Sequence, residues 1–244
     1  MAGHSKYANI KHRKGAQDAK RAKIFTRLIR EILVAAKAGP DPDGNPRLRS
    51  AIIAARAGNM PKDRIDNAIS KASGADAASY DEIRYEAYGV GGTAFVVECL
   101  TDNKNRSASE VRAIFSKFAG SLAETGSVSF MFEHMGVVRF PQEVASEDEI
   151  FEQAVEYGAE SVETEGELHI ITSQVADFIT MRDKLIEKYG DPQSAALEWL
   201  PKNLVEVSAD HAATLLKMLD ALDENDDVQN IYTNADFPEE ELDS

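Results

Sequence analysis

The chain of 244 residues contains one cysteine, Cys99, and one tryptophan. A single cysteine excludes an internal disulfide and any cysteine-rich zinc site. No run approaches the roughly 18–20 apolar residues that a membrane-spanning helix needs. The N-terminus lacks the apolar core of a secretory signal, which points to a cytoplasmic setting. Five histidines, His4, His12, His134, His169 and His211, are scattered along the sequence. None belongs to an HExxH pattern, and GxSxG and CxxC are also missing. Because an enzyme needs reactive groups that converge, no catalytic residue, metal ligand or cofactor is expected. Cys99 follows Glu98 in an apolar run and reads as a small buried hydrophobe. YGVGG at 88–92 lacks the Lys-Ser/Thr of a phosphate loop and leads into a strand. It reads as a hairpin turn that uses glycine at positive φ.

Charge, by contrast, is abundant and segregated. The formal net charge is −15. Residues 1–75 hold 16 Lys and Arg against 6 Asp and Glu, a net of +10; the remainder holds 11 against 36, a net of −25. Nine of the basic residues fall between positions 4 and 30, with one Asp among them. Two readings follow: a basic module that binds a polyanion, or basic helices that dock on the protein's own acidic face.

From Gln17 to Lys37 the apolar residues Ile24, Phe25, Leu28, Ile29, Ile32 and Ala36 recur at helical spacing, with Lys20, Lys23, Arg27 and Arg30 on the opposite side. Gly39-Pro40 stops this helix. A second starts with Asn45 as N-cap and Pro46 at the first position, and a third begins around Asn59–Pro61. Residues 1–16 are polar and basic and are expected to order on a partner. SGADAAS at 73–79 reads as a linker.

Beyond the linker the period becomes that of strands. EIRYEAYG and TAFVVECL are strands around GVGG. RSASEVRAIFSKFAG is a helix opened by the capping box Ser107…Glu110, and SVSFMFE is the next strand. GVVRF, a helix capped by Ser146, a hairpin about Glu165-Gly166, QVADFITMRDKLIEKYG and AALEWL then give the order βαββαβ, a ferredoxin-like unit. TAFVVECL, helix 107–118, SVSFMFE, LVEVS, helix 209–223 and VQNIYTNA form a second such unit, interrupted by the first. The predicted fold is therefore α+β and multidomain: an N-terminal three-helix domain (1–75) followed by two ferredoxin-like α+β domains. One of these (134–201) is inserted in the other (80–133 plus 202–238).

The candidate phosphate contacts are Lys6, Lys11, Arg13 and Lys14 on the arm, and Lys20, Arg21, Lys23, Arg27 and Arg30 on the first helix. Such a set binds with strong salt dependence through counterion release. Backbone contact should dominate base reading, because only Tyr7 supplies an aromatic nearby. Lys104 and Arg106, in the loop TDNKNRSASE, read either as a second phosphate contact or as part of an ordinary polar strand-to-helix connection. Charge alone does not choose between DNA and structured RNA.

Several long stretches resemble the YebC/PmpR family: MAGHSKYANIKHRKGAQDAKRAKIFTRLIREI at the start, then NPRLR (45–49), NMPKDRIDNAI (59–69), YEAYGVGG (85–92), ECLTDNKNR (98–106) and GSVSFMF (126–132). The segments are collinear and span essentially the whole chain. Tyr7 stands where the family usually has Trp, and Val90 where YGPGG is common. The resemblance implies three domains, an N-terminal helical one and two α+β ones, and no enzymatic activity. It also implies a transcriptional regulator that binds DNA. Other members, including a mitochondrial translational activator, are described as acting on the ribosome and relieving stalls at proline runs. The family's basic N-terminal positions map onto Lys6, Lys11, Arg13, Lys14, Lys20, Arg21 and Lys23. The expected partner is thus nucleic acid, either DNA or ribosomal RNA on the ribosome, with no membrane and no small-molecule substrate.

Overall fold

A computed structural model of the chain describes residues 18–72, 74 and 79–238, with side chains from residue 22 onward in the first helix. The chain divides into two compact units: Met1–Lys23, Ser79–Glu133 and Trp199–Ser244 form one, and Ile24–Ala78 and His134–Glu198 the other.

Three helices come first: α1 (Asp18–Ala36), α2 (Pro46–Ala57) and α3 (Lys62–Ala72). One side chain organises the first corner. Asn45 caps α2, its Oδ1 accepting from the Leu48 amide at 3.0 Å, with Pro46 preset at the first helical position. Its Nδ2 donates back to the carbonyls of Ala35 (2.7 Å) and Gly39 (2.8 Å), satisfying the end of α1 as well. The shared core is built from Ile32, Leu48, Ile65 and several alanines, whose small side chains let the helices approach closely.

The register of α1 differs from the sequence reading at two positions. Ile24, expected on the apolar stripe, is 47% exposed. Arg27 lies on the side of the helix away from Ile32 and was expected to face solvent, yet it is only 9% exposed. The outer side of α1 is thus covered at Arg27, which helical spacing alone does not reveal.

In the first unit, β1 (Asp81–Tyr88) and β2 (Ala94–Thr101) form an antiparallel hairpin. The expected glycine turn is present, with Gly91 at φ 71° and Gly92 at φ 78°. Helix α4 (Lys104–Lys117) follows, then β3 (Ser121–Ala123). After the excursion described below come β8 (Val205–Glu206), α7 (Ala209–Asp223), β9 (Val228–Thr233) and β10 (Ala235–Asp236). The sheet order is β3-β1-β2-β9, with β1–β2, β1–β3 and β2–β9 all antiparallel. Phe95, Val97, Phe115, Leu215 and Leu222 form the core between this sheet and α4 and α7, with Phe95 and Phe115 edge to face at 5.6 Å.

Three details depart from expectation here. The strand after α4 is Ser121–Ala123, not SVSFMFE; Ser129–Met131 is a single 3-10 turn, and a strand resumes only at Phe132. The reason is Glu86, whose carboxylate accepts the amides of Gly126, Val128 and Ser129, taking the donors that a strand would offer to a neighbour. LVEVS does not enter the four-stranded sheet; β8 pairs in parallel with β10, and β1 lies between β3 and β2. Helix α4 begins one turn before Ser107, capped by Asn103, whose side chain accepts from the Arg106 amide at 3.1 Å. Ser107 is fully buried on the inner face of α4.

The remaining elements are β4 (Phe132–Pro141), α5 (Glu147–Glu156), β5 (Ser161–Glu165), β6 (Leu168–Gln174), α6 (Val175–Tyr189) and β7 (Ser194–Pro201). Their order is the βαββαβ expected from the sequence, and the strands form a sheet in the order β5-β6-β4-β7. Ser146 caps α5 by accepting from the Glu149 amide, and Gly166 turns the hairpin at φ 58°. Val138, Phe140, Ile150, Ile171, Met181 and Leu185 fill the core under α5 and α6. His169 is fully buried, with Nε2 against the carbonyls of Ala145 (2.9 Å) and Gln142 (3.2 Å). Carbonyls only accept, so Nε2 carries the proton and the ring serves the corner rather than chemistry.

Candidate nucleic-acid interface

The basic residues of the sequence fall into three groups. Lys6, Lys11, Arg13 and Lys14 lie outside the described residues. Lys20 and Arg21 belong to the first turns of α1. Lys23 donates from Nζ to the Glu224 carbonyl at 2.8 Å, Arg27 is buried, and Arg30 is half-buried.

Cations of α2 and α3 are extensively engaged with carboxylates of the protein itself. Arg47 Nε donates to Glu31 at 2.7 Å, Arg56 Nη1 to Asp191 at 2.9 Å and Lys62 Nζ to Asp66 at 2.7 Å. Asp66 raises the Lys62 ammonium above its ordinary value, first by hydrogen bonding and then by charge. Arg49 lies 3.8 Å from Asp183. The most buried cation runs the other way. Arg182 of α6 is 1% exposed and donates from Nη1 to the Pro46 carbonyl (2.9 Å) and Ser50 Oγ (2.8 Å), and from Nε to Asp183 (2.8 Å). In the second unit, the α1–α3 segment is thus held to the βαββαβ segment by a guanidinium at the start of α2 and by two flanking ion pairs. Part of the basic surplus serves self-docking, as one of the two sequence readings held.

Lys104 and Arg106 are likewise engaged. Lys104 Nζ is 3.2 Å from Asp81, and Arg106 Nη2 donates to Asp102 (2.8 Å) and to Asp227 (2.8 Å). Asp227, 3% exposed, also accepts from Thr101 Oγ1 at 2.8 Å. Hydrogen bonding to Asp227, then to Asp102, raises the Arg106 guanidinium above its ordinary value. TDNKNR is therefore a strand-to-helix corner closed by a carboxylate more than 100 residues away. Nothing in the sequence around Asp227 signals so distant a partner.

Two further groups carry signals that sequence alone does not give. Glu86 is 2% exposed. Burial pushes its carboxyl up, but the Gly126, Val128 and Ser129 amides outweigh that and hold it below its ordinary value. Glu98 accepts from Trp199 Nε1 (3.0 Å) and Asn230 Nδ2 (3.1 Å) on the sheet face away from α4 and α7. Among the described residues no group of His, Cys, Asp and Glu is placed to hold a metal ion, and no helix is long and apolar enough to cross a membrane.

Residues 5–75 match the family model of the TACO1/YebC protein N-terminal domain, and residues 80–235 that of the TACO1/YebC second and third domain. The chain belongs to the TACO1/YebC family. A probable transcriptional regulatory protein of Rickettsia akari is 48% identical over 243 residues, covering 98% of this chain and 96% of that protein. Another of the same description from Rickettsia bellii is 50% identical, with 98% and 95% covered. The crystal structure of a conserved hypothetical protein from Aquifex aeolicus is similar with a TM-score of 0.85 at 40% identity, covering 94% of this chain and 96% of that one. A regulatory role and a multidomain α+β fold are what this family membership supports.

Proposed function

We propose that this TACO1/YebC protein is a nucleic-acid-binding regulator, acting on DNA as a transcriptional regulator. Its phosphate contacts come from Lys6, Lys11, Arg13, Lys14, Lys20, Arg21 and Lys23. The observation that carries the reading is the charge distribution. Residues 1–23 hold seven Lys and Arg against one Asp, in a chain whose net charge is −15. The engagement of Arg47, Arg56, Lys62, Lys104 and Arg106 with carboxylates supports assigning phosphate binding to this N-terminal set rather than to α2, α3 or the 101–106 corner. The relatives' description as transcriptional regulatory proteins favours DNA as the polyanion. Contacts of this kind neutralise phosphate and position the protein, while specificity requires base or shape readout in addition.

The test is a comparison of duplex DNA with ribosomes as targets. A regulator of transcription binds its promoter duplex more tightly than random duplex, each mismatched pair costing about 1–3 kcal/mol. Equal affinity for all duplexes, together with co-sedimentation with ribosomes at low salt, would transfer the same basic set to ribosomal RNA.

A further inference from the structure

Phe130, 64% exposed, is the most exposed large apolar side chain among the described residues. It sits in the turn Ser129–Met131, which is fixed from several sides. The nearly buried Glu86 carboxylate takes the amides of Gly126 (2.9 Å), Val128 (2.8 Å) and Ser129 (2.9 Å). Tyr88 Oη donates to the Ser127 carbonyl at 2.9 Å, and the Lys202 amide donates to the Met131 carbonyl at 2.9 Å. Val128 and Phe132 on either side are buried against Ala94 and Val96, with Met131 packed on them. Burying an ionised carboxylate is costly unless its oxygens are satisfied; here the three amides satisfy it and the turn acquires one shape. That shape turns the neighbouring apolar residues inward and presents the Phe130 ring alone. An aromatic on an immobilised backbone loses little entropy when it docks, as an interface anchor requires.

Charge identifies the partner. Residues 79–133 and 199–238 carry 7 Lys and Arg against 16 Asp and Glu. Glu124 and Glu133, both exposed, bracket the turn in sequence. Arg84 lies over the Trp199 ring at 4.6 Å and 3.7 Å from Glu86, so it is already engaged, and Lys202 adds one cation at the turn. A polyanion meets net repulsion on such a surface. A cationic side chain laid over the ring gains from its negative face. We propose that the Phe130 turn is a docking anchor for a basic segment of a partner protein. An arginine or lysine of that segment covers the ring, and neighbouring basic residues meet Glu124 and Glu133. This site is distinct from the N-terminal phosphate contacts and does not depend on them.

The experiment places p-benzoylphenylalanine at position 130 of the full chain in cells, with the same residue at the exposed Ser109 as control. After irradiation the adducts are mapped by mass spectrometry. The expected result is an adduct to a Lys- or Arg-rich segment of another protein, at least about tenfold above the control. That protein, once purified, binds Phe130→Ala about tenfold more weakly and Phe130→Trp about equally well, the loss being of the size expected for one aromatic anchor. No adduct above control, an adduct to nucleic acid, to a second copy or to an acidic or neutral segment, or undiminished binding of Phe130→Ala would each overturn the proposal.

Discussion

Truncating Arg182 to alanine tests how the α1–α3 segment is held within its unit. The side chain is 1% exposed and makes two hydrogen bonds to α2, at 2.9 Å to the Pro46 carbonyl and 2.8 Å to Ser50 Oγ. Hydrogen bonds from a charged donor contribute about 1.5–3 kcal/mol each. The third bond goes to Asp183, whose side chain is 37% exposed and rehydrates readily, so little is added for it. The expected loss is therefore about 3–5 kcal/mol, in the range for removing one partner from a buried charged network. A double-mutant cycle with Ser50→Ala isolates one of the two bonds, and the coupling should be about 1–2 kcal/mol. Urea unfolding of the full chain supplies the energies, and hydrogen exchange at α2 amides assigns the transition to the correct unit. A loss below about 1 kcal/mol for Arg182→Ala, or strict additivity in the double variant, would refute the reasoning.

Other substitutions probe the same logic elsewhere. Asn45→Ala removes a helix cap and the bonds to the Ala35 and Gly39 carbonyls, and should lower stability by about 2–4 kcal/mol in thermal or urea unfolding. Asp227→Ala leaves Thr101 and Arg106 without their shared acceptor; about 2 kcal/mol should be lost, with faster exchange in the first turn of α4. Glu86 is a pH test. Its folded carboxyl is held below the ordinary value of 4.5, so its contribution is complete above that pH and is lost as pH falls through the folded value. Glu86→Gln should therefore be less stable than the parent at pH 7, and the gap should narrow on acidification below pH 4.5; a constant gap would contradict the assignment.

Local signals made most elements legible. Asn45-Pro46 marked the start of α2, Ser146 the start of α5, and the paired glycines of YGVGG a turn at positive φ. Where the reading failed, a distant partner had overruled a local pattern. SVSFMFE alternates like a strand, but Glu86 claims its amides. Ser107…Glu110 has the form of a capping box, yet Asn103 starts the helix earlier and Ser107 turns inward. The helical spacing around Arg27 distinguishes the two sides of a helix but not which positions end up buried. The basic set itself was visible as charge. What the sequence could not reveal is which cations elsewhere in the chain find carboxylates at home: Arg56 its Asp191, Arg106 its Asp227. Those partners lie more than 100 residues away, beyond any pattern of spacing.

The central claim is that residues 1–23 carry the contact with phosphate. Its most direct measurement is the salt dependence of duplex DNA affinity for the parent and for a variant with Lys6, Lys11, Arg13 and Lys14 changed to Gln. The account predicts weaker binding to all sequences, with the slope of log K against log salt flattened by about 0.9 for each phosphate contact removed. Affinity and slope equal to those of the parent would contradict it.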